Sequence, residues 1–158
     1  MQFEKAVQAL CDASVDFVVI GGLAATLHGS AQVTYHLDIC YSRATANLRR
    51  LIQALAPFHP RPRGLPGGLP FVWDEVTLHN GTVFTLQTDI GEIDLLAEVT
   101  GLGAFADVKQ HSITVEAFER HIETLDLPGL IRSKRALCRA KDLTALAELE
   151  SILEAGEP

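Results

Sequence analysis

Residues 15–43 read VDFVVIGGLAATLHGSAQVTYHLDICYSR, and this stretch decides the fold. The aromatic and β-branched run at residues 17–20 is typical of a buried strand, which stops at the Gly21-Gly22 pair. The alanine- and leucine-rich segment at residues 22–28 predicts a helix directly after these glycines. A second short apolar segment then predicts a second strand. The stretch therefore predicts a strand, a glycine turn, a helix and a strand in close succession.

The second predicted strand, residues 37–41, carries polar side chains beside its apolar ones. Because successive side chains on a strand point to opposite faces, His36 and Asp38 share one face while Leu37 faces the core. Asp94 lies between two apolar residues of a later predicted strand and likewise points away from the core. If the two strands are neighbours, His36, Asp38 and Asp94 meet at one end of the sheet.

Such a cluster has the chemistry that phosphoryl transfer needs. Two divalent cations about 3.5–4 Å apart stabilise the attacking and leaving oxygens, and hard ions such as Mg²⁺ prefer carboxylate oxygens. Asp38 and Asp94 are therefore the candidate metal ligands. The Gly21-Gly22 turn would let a triphosphate approach the backbone at a helix N-terminus, where free N–H groups favour anions.

The rest of the chain predicts further helices and short strands. Residues 57–70 are rich in proline and glycine and predict a long surface loop without regular structure, in which Arg61 and Arg63 could close over a substrate. The pattern as a whole indicates an α+β chain with a mixed sheet flanked by helices. The other predicted elements are a helix at 2–12, a helix capped by Ser42, a hairpin with strands at 83–88 and 92–99, strands at 112–115 and 122–127, a helix at 128–139 and a last helix capped by Asp142.

Length and composition restrict the class of protein. The chain has 158 residues, of which 47% are hydrophobic and 21% charged, so we expect a single globular domain over residues 1–158. No apolar run approaches the roughly 20 residues that cross a bilayer, and the first residues lack a secretory pattern. We therefore expect a cytoplasmic protein without a membrane partner. Three widely spaced cysteines predict reduced core thiols: Cys11, Cys40 and Cys138.

The charge of the chain argues against one class of partner. The formal net charge is −7, which is the opposite of the basic surface expected of an autonomous nucleic-acid binder. Any RNA contact would depend on a local basic patch, for which residues 132–141 are the candidate.

Residues 15–43 resemble the core of the nucleotidyltransferase superfamily, in which a Gly-Gly or Gly-Ser turn precedes an Asp-x-Asp strand. The segment GEIDLL at residues 91–96 resembles the hairpin that supplies a third carboxylate in that superfamily. KRA at residues 134–136 and RAKDL at residues 139–143 look like the C-terminal signature of small bacterial and archaeal members. Those members are similar to the toxin components of abortive-infection-type toxin–antitoxin pairs.

The resemblance implies a polymerase-beta-like fold and transfer of a nucleotidyl group from a nucleoside triphosphate to a hydroxyl. The acceptor would be an RNA, a protein or a small molecule, and an antitoxin protein is a further implied partner. The resemblance also implies that Asp38 and Asp94 are the second and third metal-binding carboxylates. It implies Mg²⁺ or Mn²⁺ as the cofactor, and Lys134 as a basic residue facing the nucleotide phosphates.

The sequence departs from that superfamily at His36, where its members place the first carboxylate. Imidazole suits Zn²⁺, Mn²⁺ or Ni²⁺ better than Mg²⁺. Three interpretations remain open. The first is a degenerate site that binds a nucleotide or one metal ion but transfers slowly or not at all. The second is an active enzyme that uses a transition metal or one carboxylate fewer, and the third is an aspartate replaced to inactivate the enzyme. Glu92 shares a face with Asp94 and could donate a substitute oxygen. The competing class of function is a non-catalytic nucleotide-binding module that partners an antitoxin or a larger complex.

Overall fold

The computed structural model of the chain describes residues 1–137 and 139–156. The described residues form seven α-helices: α1 (Phe3–Asp12), α2 (Gly21–Leu27), α3 (Thr45–Leu55), α4 (Glu75–His79), α5 (Phe105–Gln110), α6 (Leu127–Leu137) and α7 (Ala140–Gly156). They also form nine strands: β1 (Phe17–Ile20), β2 (His36–Tyr41), β3 (Arg61–Pro62), β4 (Val83–Thr88), β5 (Gly91–Leu96), β6 (Glu98–Val99), β7 (Gly103–Ala104), β8 (Ser112–Ala117) and β9 (Arg120–Leu125).

A mixed seven-stranded sheet lies at the centre, in the order β3-β4-β5-β2-β1-β9-β8, while β6 and β7 pair separately. The antiparallel contacts are β1 with β2, β4 with β5, β8 with β9, and β3 with β4. The contacts of β2 with β5 and of β1 with β9 are parallel. The predicted α+β class, with a mixed sheet flanked by helices, is therefore confirmed.

Alternation along β2 and β5 separates a core face from a polar face. Leu37 and Ile39 of β2, like Ile93 and Leu95 of β5, are fully buried. The polar residues between them lie on the opposite face and are only partly buried. Because the side-chain period of a strand is two, the apolar residues that fix each strand in the core also fix the direction of its polar residues.

Helices cover the sheet with the apolar stripes that their spacing predicts. Leu48, Leu51 and Leu55 of α3 are fully buried, and α1 packs against this helix. The pair α6 and α7 pack against each other, and α6 also contacts α2. None of the helices in the described part of the chain is long and apolar enough to span a membrane.

The proline-rich segment and two predicted helix caps differ from expectation. Residues 57–70 contain the two-residue edge strand β3, which pairs with Gln87 and Leu86 of β4, so the prediction of no regular structure was wrong there. An edge strand tolerates proline because one side of it has no sheet partner. The cap of α3 is Ala44, whose backbone N–H donates to the Ser42 hydroxyl, and Asp142 lies inside the first turn of α7.

The structure describes two of the three cysteines for which the sequence predicts reduced core thiols. Cys11 and Cys40 are free thiols, and Cys40 is fully buried. Burial raises the pKa of the Cys40 thiol to about 12, so this residue acts as an apolar core residue. Cys138 lies outside the described residues.

Candidate functional site

Parallel pairing of β2 with β5 brings together three residues that the sequence analysis singled out. Asp38 and Asp94 are register partners on the two strands, and His36 precedes Asp38 on the same face. His36 Nε2 lies 3.3 Å from Asp38 Oδ1 and 3.6 Å from Asp94 Oδ2. One ligand atom from each of the three side chains lies within 4.8 Å of the other two. This spacing allows the three side chains to share one metal ion.

The two carboxylates of this cluster influence each other's charge. Burial raises the pKa of Asp38 to about 7. The negative charge of Asp94 and a hydrogen bond between the two carboxyl groups also raise this pKa, whereas the charges of His36 and Lys134 lower it. Burial and the nearby charge of Asp94 therefore disfavour the ionised form of the Asp38 carboxyl near neutral pH. A divalent cation at the cluster would remove that repulsion, so the electrostatics favour cation binding.

The Gly21-Gly22 turn packs directly against the metal-ligand candidates. Gly21 has a φ of +64°, and a Cβ atom on it would collide with Asp38 Oδ2. A Cβ atom on Gly22 would collide with the Thr34 hydroxyl, which in turn donates to the carbonyl of His36. The turn therefore needs glycine for two reasons, its left-handed backbone and its close approach to the neighbouring polar residues.

Replacing Gly21 with alanine is expected to destabilise the fold by about 1–3 kcal/mol and to displace the Asp38 carboxylate. The matched control is Gly64→Ala, because Gly64 also has a positive φ (+79°) but has open space around its Cα. Both variants add backbone strain, and only Gly21→Ala should also abolish the rise in melting temperature that a divalent cation produces. Thermal unfolding with and without the cation measures this. An undiminished cation-induced rise in Gly21→Ala would contradict the close packing of the turn on Asp38.

A cavity of about 600 Å³ opens above the cluster. Its floor contains the three clustered residues and the glycine turn, and its opposite wall is formed by α6 and α7. Three basic residues line that wall: Lys134, Arg139 and Lys141. The volume lies within the range typical of sites that bind small molecules and cofactors. A cation site on one wall and basic groups on the other suit a ligand that carries phosphates.

A buried aspartate positions two of these basic residues. Asp142 is almost fully buried, and it accepts hydrogen bonds from Lys134 Nζ at 3.2 Å and from Arg139 Nε at 2.6 Å. The Arg139 hydrogen bond, aided by Lys134, lowers the pKa of Asp142 to about 2. The ammonium of Lys134 has three donors, of which this contact uses one. Lys134 is thus held at the cavity wall with donor capacity left for an anion.

Arg63 contacts the cluster from the side opposite to His36, and the sequence did not predict this contact. Its Nη2 atom donates to Asp94 Oδ1 at 2.8 Å and to the carbonyl of Leu86 at 3.2 Å. Its Nε atom lies 3.5 Å from Glu92 Oε1.

The sequence analysis suggested that Arg63 could close over a substrate, and that Glu92 could substitute for the missing carboxylate. In the structure, Arg63 holds both acidic side chains, and Glu92 is outside the cluster. Only spatial proximity reveals this arginine as a partner of Asp94.

The order of the strands and the polar cluster beside a glycine turn define the nucleotidyltransferase fold. The crystal structure of a Thermotoga maritima protein, provisionally described as a nucleotidyltransferase, has the same fold as this chain. The two are 16% identical, the match covers 94% of this chain and 90% of the other, and the TM-score is 0.60. No protein-family model and no curated protein sequence matches the chain. At this identity the likeness shows the fold alone.

Proposed function

We propose that the protein binds a nucleoside triphosphate in the cavity and transfers its nucleotidyl group to a hydroxyl acceptor. The observation that carries the proposal is the convergence of Asp38 and Asp94 as register partners beneath a cavity with a basic opposite wall. The fold shared with a protein described as a nucleotidyltransferase adds support. Transfer is expected to be slow relative to a site with three carboxylates, because His36 supplies no negative charge.

The donor set at the floor of the cavity fits a divalent cation. Asp38 and Asp94 would hold it, with His36 as the third ligand. When bound, such an ion neutralises charge on the reacting phosphate and on the attacking and leaving oxygens. Mg²⁺ and Mn²⁺ are the ions that the resemblance implies.

Other residues of the cavity would bind and orient the triphosphate. Lys134, held by Asp142, faces the phosphates as a point charge. The Gly21-Gly22 turn lines the same cavity and would offer its backbone N–H groups to the phosphates.

The acceptor that we propose is an RNA, a protein or a small molecule, encountered in the cytoplasm by a single-domain protein. The net charge of −7 favours an acceptor with a small contact area over a long RNA footprint. An antitoxin partner is part of the same proposal, by analogy with the toxin components that the C-terminal signature resembles.

A second candidate function is a nucleotide-binding module without transfer activity. Two points favour it: His36 stands where the resemblance places a carboxylate, and the Arg63 guanidinium binds one oxygen of Asp94. In this interpretation the nucleotide stabilises the fold for contact with a partner protein.

Incubation with each labelled nucleoside triphosphate, Mg²⁺ or Mn²⁺ and total RNA separates the two functions. Transfer of label to RNA or to the protein itself, lost in Asp38→Asn and Asp94→Asn, supports the enzyme. Absence of transfer together with a nucleotide-induced rise in melting temperature supports the binding module. If no nucleotide is transferred and none raises the melting temperature, both proposals are wrong.

A further inference from the structure

The cluster at the floor of the cavity offers one donor atom from each of three side chains. The atoms are His36 Nε2, Asp38 Oδ1 and Asp94 Oδ2, and the two distances from the imidazole nitrogen are 3.3 and 3.6 Å. Ligands bonded at about 2.1 Å to a tetrahedral ion lie about 3.4 Å apart. Adjacent ligands of octahedral Mg²⁺, with bonds of about 2.1 Å, lie about 3.0 Å apart. The two distances from the imidazole nitrogen match the tetrahedral arrangement more closely, and all three donor atoms lie within 4.8 Å of one another.

One of the two remaining carboxylate oxygens is already bound by a cationic side chain of the protein itself. Arg63 Nη2 donates to Asp94 Oδ1 at 2.8 Å, which places a positive charge where a second cation would bind. Asp38 Oδ2 points at the Cα of Gly21, so close that a Cβ atom there would collide with it. A pair of divalent ions about 3.5–4 Å apart needs ligands that reach both ions. Here Arg63 binds the second oxygen of Asp94, so Asp94 has only one oxygen left for an ion at the cluster.

The chemistry of the donors also selects the type of ion. Imidazole nitrogen binds zinc, copper, iron and nickel in preference to magnesium, and Mg²⁺ releases its water ligands reluctantly. His36, Asp38 and Asp94 all line the cavity, and a tetrahedral ion held by these three ligands would have one position left for a further ligand. That open position is the arrangement of a catalytic zinc site, in contrast to a closed structural one.

We propose that the protein binds one zinc-class divalent ion through His36 Nε2, Asp38 Oδ1 and Asp94 Oδ2, and that Arg63 excludes a second ion. This inference refines the metal ion of the proposed function, but its test does not require that function. Lys134 lines the same cavity, so a phosphate oxygen or a water molecule is the ligand that would complete the site.

The test is a titration of the metal-free chain in the absence of nucleotide. Calorimetry with Zn²⁺ and with Mg²⁺ gives stoichiometry and affinity, and elemental analysis after gel filtration gives the metal content. We expect one zinc ion per chain, bound at least about 100-fold more tightly than Mg²⁺. The Co²⁺ form should show the strong visible absorption of four-coordinate cobalt. The variant His36→Asp is expected to lower the preference for Zn²⁺ over Mg²⁺ at least about tenfold.

The matched control is His59→Ala, since His59 forms a comparable ion pair with Asp89 on the surface, with 75% of its side chain exposed. This variant should still bind one zinc ion. Circular dichroism verifies that each variant is folded. Any of three results would overturn the inference. They are two ions per chain, equal affinity for Mg²⁺ and Zn²⁺, or full zinc binding by His36→Asp with an unchanged preference for Zn²⁺ over Mg²⁺. Zinc binding as expected without nucleotide transfer would contradict only the proposed enzyme, and transfer with two Mg²⁺ ions would contradict only this inference.

Discussion

Changing His36 to aspartate is expected to raise Mg²⁺-dependent nucleotidyl transfer by about 100-fold, which corresponds to about 2.7 kcal/mol of transition-state stabilisation. The new carboxylate would stand beside Asp38 and Asp94 and add negative charge to a site that now has two carboxylates and an imidazole. More negative charge holds a hard divalent cation more firmly, and that cation neutralises the phosphate oxygens in the transition state. Initial rates with a labelled nucleoside triphosphate, at saturating Mg²⁺, measure the change.

Two further variants make this result interpretable. His36→Asn has a similar volume to aspartate but no charge, so it should show no gain. The double variant His36→Asp with Asp38→Asn should show no gain, because it removes a carboxylate that transfer requires. If His36→Asp shows no gain and no nucleotide raises its melting temperature, the cavity does not serve nucleotidyl transfer, and an interaction role is favoured.

Changing Asp142 to asparagine is expected to lower the free energy of unfolding by about 2–3 kcal/mol, because it leaves Lys134 and Arg139 without their buried negative partner. The figure is below the about 3–5 kcal/mol typical of a fully buried pair because 47% of the Arg139 side chain is exposed. The melting temperature should fall by roughly 5–10 °C. Because Asp142 also positions Lys134, nucleotide affinity should fall in the same variant.

The contribution of Asp142 should also depend on pH in a defined direction. Its folded-state pKa is lowered to about 2, below the value of about 3.9 for an unfolded aspartate. Its stabilising effect is therefore complete above about pH 4 and is lost as the pH falls toward 2. The difference in stability between the wild-type chain and Asp142→Asn should shrink over that interval, and denaturant unfolding at several pH values measures it.

The control for this second prediction is Asp12→Asn. Asp12 forms an ion pair with Arg120 through both of its oxygens, but this pair lies on the surface. Exposed ion pairs contribute little to stability, so Asp12→Asn should change the melting temperature much less. An equal loss in both variants would show that the burial of Asp142 between α6 and α7 has no special importance.

The site could be predicted from the sequence in part. His36 and Asp38 were placed on one face by the two-residue period of a strand, and the prediction that Asp94 would join them is confirmed by the pairing of β2 with β5. The contact of Arg63 with Asp94 was missed because the proline- and glycine-rich segment has no periodicity that fixes the direction of its side chains. The buried position of Asp142 was also missed, since an aspartate near a helix start is typical of a cap.

Some elements of the fold were missed for a related reason. The short helices α4 and α5 are too short to be stable alone and leave only weak periodic signals. The two-residue strands β3 and β7 carry too few residues for an alternating pattern, whereas β6 lies within the predicted strand at 92–99, which the structure divides into β5 and β6. These elements form because neighbouring parts of the chain supply hydrogen bonds and apolar contacts.

The sequence by itself determined the local features of this protein. Glycine was required at a turn with left-handed backbone, and alternation set the buried and polar faces of the strands. The spacing of leucines set the buried stripe of α3. Each of these features depends on residues that are close together along the chain. Only the tertiary structure decided that β5 lies parallel to β2 with Asp94 beside Asp38, that Arg63 takes one oxygen of Asp94, and that Asp142 holds Lys134 at the cavity wall. Those contacts join distant segments, and their free energy comes from burial and charge pairing that exist only once the chain has folded.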